Sequence, residues 1–230
     1  MYNFETIAAA IISGLLIALA WLWFWLREDS AHPEPRRLIA LAFFAGMVTV
    51  AIVIPIQEFV QTYIVSQTLL FSAWSAIEEV FKYIAAQVTV LWRRENDEPI
   101  DPVIYMVTVA LGFAAVENTL FLLSPLAGTT TLMVIQTGDL RFVGATLVHV
   151  LSSAVVGLAL AACYYKSRWT KLIFTVIGVI LASLLHSTFN FFILNTPPSN
   201  TLRVLMFVWI GVIVLLAALE WVKRIRPRFR

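Results

Sequence analysis

Long apolar stretches alternate with short polar ones along the whole chain. Seven stretches reach the roughly 20 residues that a helix needs to cross a 30 Å hydrocarbon core: about 7–26, 38–56, 68–92, 103–124, 141–165, 172–194 and 203–222. The polar connections Arg27–Arg37 (REDSAHPEPRR) and Arg93–Pro102 (RRENDEPIDP) carry charge and proline, which stop helices. The longest connection, 125–140, has room for a short re-entrant or interfacial piece, and 57–67 reads as an interfacial extension of the second helix. The first stretch begins MYNFETIAAA, without a Lys or Arg before it, so it reads as a retained helix rather than a cleaved signal. The expected fold is an all-α polytopic bundle of about seven transmembrane helices. It forms one integral-membrane domain over 1–230, without internal repeat or second domain.

Composition agrees with the pattern. Of 230 residues, 60% are hydrophobic and 13% charged, and the mean hydropathy is +0.87. Soluble domains carry about 25% charge, and disorder needs low hydrophobicity with high charge. A net charge of +2 argues against a dedicated nucleic-acid partner. The lone Cys163 rules out a disulfide framework. Thirteen of the 16 Lys and Arg residues lie in 27–37, 93–102, 165–171 and the tail after 222. By the positive-inside rule these face the cytoplasm, which puts the N-terminus outside and the C-terminus inside. Trp21, Trp23, Trp25, Trp92, Trp169 and Trp221 fall at the same ends, as an interfacial belt should.

Six ionisable groups lie well inside spans: Glu78, Glu79 and Lys82 in the third, Glu117 in the fourth, His149 in the fifth and His186 in the sixth. Each costs about 2.5–3.5 kcal/mol at the centre of a spanning helix, so by default they mark function. At 1.5 Å per residue from the outer ends they fall roughly 10–15 Å deep, one level on four helices. Lys82 stands i+4 from Glu78 and i+3 from Glu79 and can neutralise one of them. Glu117 is followed by Asn118, which serves equally as interhelical glue or as a donor. His149 has Ser153 one turn on, and His186 has Asn190 one turn on, a pairing suited to proton handling and oxyanion binding. Arg141 is either an interfacial anchor or a group reaching inward; Ser75, Ser183 and Ser187 read as small packing residues. No Ser–His–Asp set, phosphate loop or HExxH occurs.

Three carboxyls against one lysine leave a formal −2 with neutral histidines. Such a set shares protons, charges its histidines or binds a metal. A carboxyl activating water, a Zn²⁺ held by Glu and His with an open position, and a proton or ion path all remain open on the residues alone.

Four segments carry a resemblance: Glu78-Glu79-Val80-Phe81-Lys82, Gly112-Phe113-Ala114-Ala115-Val116-Glu117-Asn118, Arg141 through His149, and His186-Ser187-Thr188-Phe189-Asn190. In this order, one per helix from about Trp74 to Phe192, they resemble the PrsW family of intramembrane proteases. The set is more distantly similar to the CAAX-prenyl endopeptidase and bacteriocin-processing superfamily, which has histidine where Glu117 stands. A scaffold subunit of γ-secretase is a further, non-proteolytic relative. The resemblance implies hydrolysis of a membrane-anchored protein, such as an anti-sigma factor, near the outer leaflet of a prokaryotic plasma membrane. On that reading Glu78 or Glu79 activates water and His149 and His186 share proton transfer. Asn190, helped by Asn118, donates to the oxyanion. Lys82 restrains the glutamate pair, with Arg141 as a further supporting group, and Glu117 orients a histidine. A metal, if present, would sit among Glu79, Glu117, His149 and His186; a metal-free glutamate mechanism is slightly preferred, because Asn190 can supply the electrophile. The rival classes are a transporter or channel, and a non-catalytic scaffold. The oligomeric state cannot be read.

Overall fold

A computed structural model describes residues 4–29, 32–123, 131–195 and 201–226, with the side chains of 131–143, 193–195 and 201 left aside. These residues form seven long helices: α1 (Phe4–Leu26), α2 (Arg36–Gln61), α3 (Gln67–Ala86), α4 (Asp101–Leu123), α5 (Thr131–Ala162), α6 (Arg168–Asn195) and α7 (Thr201–Val222). No strand occurs among them. The expected all-α membrane bundle is therefore the fold. Six of the helices are long and apolar enough to span a membrane. The exception is α3, whose Glu78, Glu79 and Lys82 lower its apolar character.

Two expected boundaries move. Helix α2 runs on to Gln61, five residues past its expected end, which takes up much of the proposed interfacial extension. Helix α5 begins at Thr131, ten residues before the expected start. The polar run Gln136-Thr-Gly-Asp139 interrupts the hydropathy but not the helix, whose ladder is made by backbone groups. Within the part of α5 whose side chains are described, Gly144–Ala162 is long and apolar enough to span a membrane. Of the segment 125–140 expected to hold a re-entrant or interfacial piece, 131–140 belongs to α5 and the rest lies outside the described residues.

Helix α4 is the axis of the bundle, packed against α1, α2 and α5. Every residue from Asp101 to Ala115 is buried. A helix apolar all round belongs in a core, and small residues let its neighbours come close. Gly46 of α2 and Gly112 of α4 face each other's backbone. A Cβ on Gly46 would stand 2.0 Å from the Val109 carbonyl oxygen, and one on Gly112 would stand 1.9 Å from that of Phe43. Nothing but glycine fits at this crossing.

Helix α3 lies between α2 and α6 and also touches α4 and α5. Its buried positions are Ser75, Glu78, Glu79, Lys82 and Ala86, while Leu69, Val80 and Ile84 are exposed. This is an inverted amphipathic helix. Its apolar face is turned outward, as suits lipid, and its polar stripe is turned into the bundle, where partners exist.

Candidate active site

The polar stripe of α3 meets Glu117 from α4, His149 from α5 and His186 from α6. Glu79 is fully buried and uses both oxygens. Its Oε1 accepts from Lys82 Nζ at 2.7 Å and from His186 Nδ1 at 3.0 Å; its Oε2 accepts from Ser153 Oγ at 2.8 Å. A buried carboxylate with these partners is satisfied.

Glu78 is held differently. Gln57 of α2 donates to its Oε1 at 2.8 Å, while its buried Oε2 has no hydrogen-bond partner. That oxygen stands 3.7 Å from His186 Nε2, 3.9 Å from His149 Nδ1 and 3.9 Å from Lys82 Nζ. The two imidazoles meet edge to face with centroids 4.7 Å apart. His149 Nε2 is hydrogen-bonded to Glu117 Oε2, and Lys82 Nζ donates to His149 Nδ1 at 2.8 Å. The network thus assigns the His149 proton to Nε2 and the His186 proton to Nδ1. Phe113 closes one side, its ring 4.5 Å from Lys82 Nζ and 5.3 Å from the His149 ring.

Glu78, His149 and His186 therefore offer ligand atoms that lie within 4.8 Å of one another, and this buried group could hold a metal. The grouping differs from the expected Glu79, Glu117, His149 and His186. Glu79 and Glu117 stand behind the histidines, each fixing one ring nitrogen, as carboxylates do behind metal-binding histidines. Glu78, adjacent to Glu79 and about 100° further round the helix, faces the gap instead.

The remaining expected residues fall at the margin. Asn118 Nδ2 donates to Thr146 Oγ1 at 2.9 Å and ties α4 to α5, the gluing role rather than a contact with the cluster. Asn190 is half-buried and donates to Ser75 Oγ at 3.3 Å. Arg141 lies ten residues into α5, with its side chain outside the described residues. Ser153 bonds Glu79 and not its neighbour His149. Sequence reasoning missed Gln57 because α2 was ended one residue before it.

The site opens on a cavity of about 300 Å³ between α2, α3 and α4, lined by Val53, Gln57, Glu78, Phe113, Glu117 and Leu120 among others. The Glu117 side chain is 44% exposed and lies at the open edge. Glu79 and Lys82 lie behind, fully buried.

A buried carboxylate–imidazole cluster beside such a cavity, inside a helical membrane bundle, is the arrangement of an intramembrane hydrolase. The family described as "PrsW family intramembrane metalloprotease" matches residues 34–219. The chain is 25% identical to Protease PrsW of Bacillus subtilis over 211 residues, 87% of this chain and 91% of that protein. It is 27% identical to Protease PrsW of Oceanobacillus iheyensis over 92% of this chain and 94% of the other. With Protease PrsW of Geobacillus kaustophilus it shares 30% identity over 50% of this chain and 52% of the other. No solved structure matches the chain at a significant level. The chain belongs to the PrsW family; it is an intramembrane protease, and its substrate class is protein in the membrane.

Proposed function

We propose that the chain is a zinc-dependent endopeptidase in which Glu78 Oε2, His149 Nδ1 and His186 Nε2 hold the ion. One observation carries this reading: a buried, unsatisfied carboxylate oxygen faces two imidazole nitrogens whose far sides are already fixed by carboxylates. Two histidines and a glutamate with an open position are a known catalytic zinc set. Charge points the same way, since Glu78, Glu79 and Glu117 against Lys82 leave −2, which a divalent ion cancels. When bound, the ion supplies Lewis-acid polarisation of the scissile carbonyl and of water.

The chain's own residues do the rest. Gln57 holds Glu78 in line, and Ser153 and Lys82 hold Glu79, which keeps the His186 proton on Nδ1 and so leaves the Nε2 lone pair for the ion. Glu117 keeps the His149 proton on Nε2 in the same way, so Nδ1, which accepts from Lys82 here, is the atom that would hold the ion, and Lys82 is also held by Glu79. Glu117, at the cavity edge, accepts the proton of the attacking water and returns it to the leaving amide nitrogen. Asn190, one turn beyond His186, steadies the carbonyl oxygen as charge develops.

A second reading rests on Lys82, which gives the cluster a cation of its own at 2.8 Å from His149 Nδ1. There Glu78 itself activates water and no metal enters. The substrate we propose is a membrane-anchored protein of the anti-sigma-factor type, cut near the leaflet opposite the basic loops of a prokaryotic plasma membrane.

Cleavage of a single-pass substrate in proteoliposomes tests the assignment. Glu78→Gln and His186→Ala are expected to lower the rate by at least about 10²-fold, and Asn190→Ala by about 10²–10³ in kcat. Undiminished cleavage by Glu78→Gln and His186→Ala would overturn it. Loss on chelation with recovery on added Zn²⁺ selects the metal reading; indifference to chelation selects the second.

A further inference from the structure

A second polar cluster lies at the other end of α4. Asp101, its first residue, stands 16 positions before Glu117, about 24 Å away along the helix. Asp29, in the short 3₁₀ turn Arg27–Asp29 after α1, and Glu34, just before α2, converge on it. All three are buried, with 5%, 9% and 2% of Asp29, Glu34 and Asp101 exposed. Their ligand oxygens lie within 4.8 Å of one another.

Part of the cluster is accounted for by hydrogen bonds. Asp101 Oδ2 accepts the backbone N–H groups of Asp97 and Glu98, each at 2.7 Å, and the Tyr105 hydroxyl donates to Glu34 Oε2. Asp29 Oδ2, by contrast, is buried without a hydrogen-bond partner. Among the described residues no lysine, arginine or histidine forms an ion pair with any of the three. The nearby cations are engaged elsewhere: His32 with Glu98, Arg37 with Glu95, and Lys223 with Glu28 and Glu220. Three buried carboxyls without a directly paired counter-charge are costly.

The donor set is all oxygen, carboxylates with a phenol beside them, which suits a hard cation and not zinc or copper. Ligands around a Ca²⁺ lie at most about 4.6–5.2 Å apart, and oxygens within 4.8 Å of one another meet that limit. We propose that Asp29, Glu34 and Asp101 bind a hard divalent cation, Ca²⁺ or Mg²⁺, that ties the ends of α1, α2 and α4 together at the basic-loop end of the bundle. This site is separate from the catalytic cluster and independent of how that cluster works.

Terbium luminescence in the purified full-length protein tests it, with Tb³⁺ as the Ca²⁺ analogue and Tyr105 as the neighbouring sensitiser. Saturable emission displaced by Ca²⁺ or Mg²⁺ is expected. Asp29→Asn and Glu34→Gln should weaken Tb³⁺ binding at least about tenfold, because affinity follows ligand charge count. Glu78→Gln should leave it unchanged. Should Asp29→Asn not fold, the Tm of the Glu78→Gln protein still decides: it should rise with Ca²⁺ or Mg²⁺ and not rise once Glu34→Gln is added. Absent or non-displaceable emission, equal affinity in Asp29→Asn and Glu34→Gln, or loss of emission in Glu78→Gln would overturn the proposal. So would a Tm indifferent to both cations, which would mean that shared protons alone neutralise the cluster.

Discussion

Glu78 and Glu79 are chemically identical neighbours with opposite circumstances. Glu79 is saturated by Lys82, His186 and Ser153, whereas Glu78 keeps one oxygen without a partner. Substitutions should separate the two. Glu78→Gln preserves shape and the Gln57 contact region, so it should fold normally while cleavage collapses; activity assays paired with thermal unfolding check this. Lys82→Met instead strands Glu79 as an uncompensated buried charge. It should destabilise the protein by about 3–5 kcal/mol, read from denaturation in detergent. Ser153→Ala should cost less, about 1–3 kcal/mol, since Lys82 and His186 still hold the carboxylate. The presence of a buried Glu/His cluster was legible from charge placed where lipid should be. The ranking of the two glutamates was not. It depends on which faces α5 and α6 present to α3, and no helical periodicity in one chain segment carries that information.

At the scale of the helices, α3 and the α2–α4 crossing place the site. The inverted face of α3 could be inferred once its charges were seen inside a span. The crossing was only half visible: Gly112 beside Ala114 and Ala115 read as a close-approach surface, but its partner Gly46 carried no signal of its own. Gly112→Ala would press a Cβ into the Phe43 backbone. It should cost about 1–3 kcal/mol through strain and also lower activity, because α2 carries Gln57 and one wall of the cavity. Gly211→Ala is the matched control, since its Cβ would meet only the end of the Leu151 side chain at 2.8 Å, and it should leave both nearly intact. Gln57 itself escaped sequence reasoning because the apolar run ends before the helix does.

For the whole molecule, thirteen of the 16 Lys and Arg residues fall in 27–37, 93–102, 165–171 and the tail after 222, the segments that the positive-inside rule assigns to the cytoplasm. Reporter fusions should find the C-terminus in the cytoplasm and the N-terminus outside; the reverse result would move the proposed cut to the inner leaflet. The central claim is the metal held by Glu78, His149 and His186, and zinc stoichiometry tests it most directly. Atomic spectroscopy of the purified full-length protein should find close to one Zn²⁺ per active chain and a near-complete loss of it in Glu78→Gln and His186→Ala. Fully active protein devoid of zinc, or zinc retained equally in those variants, would contradict it.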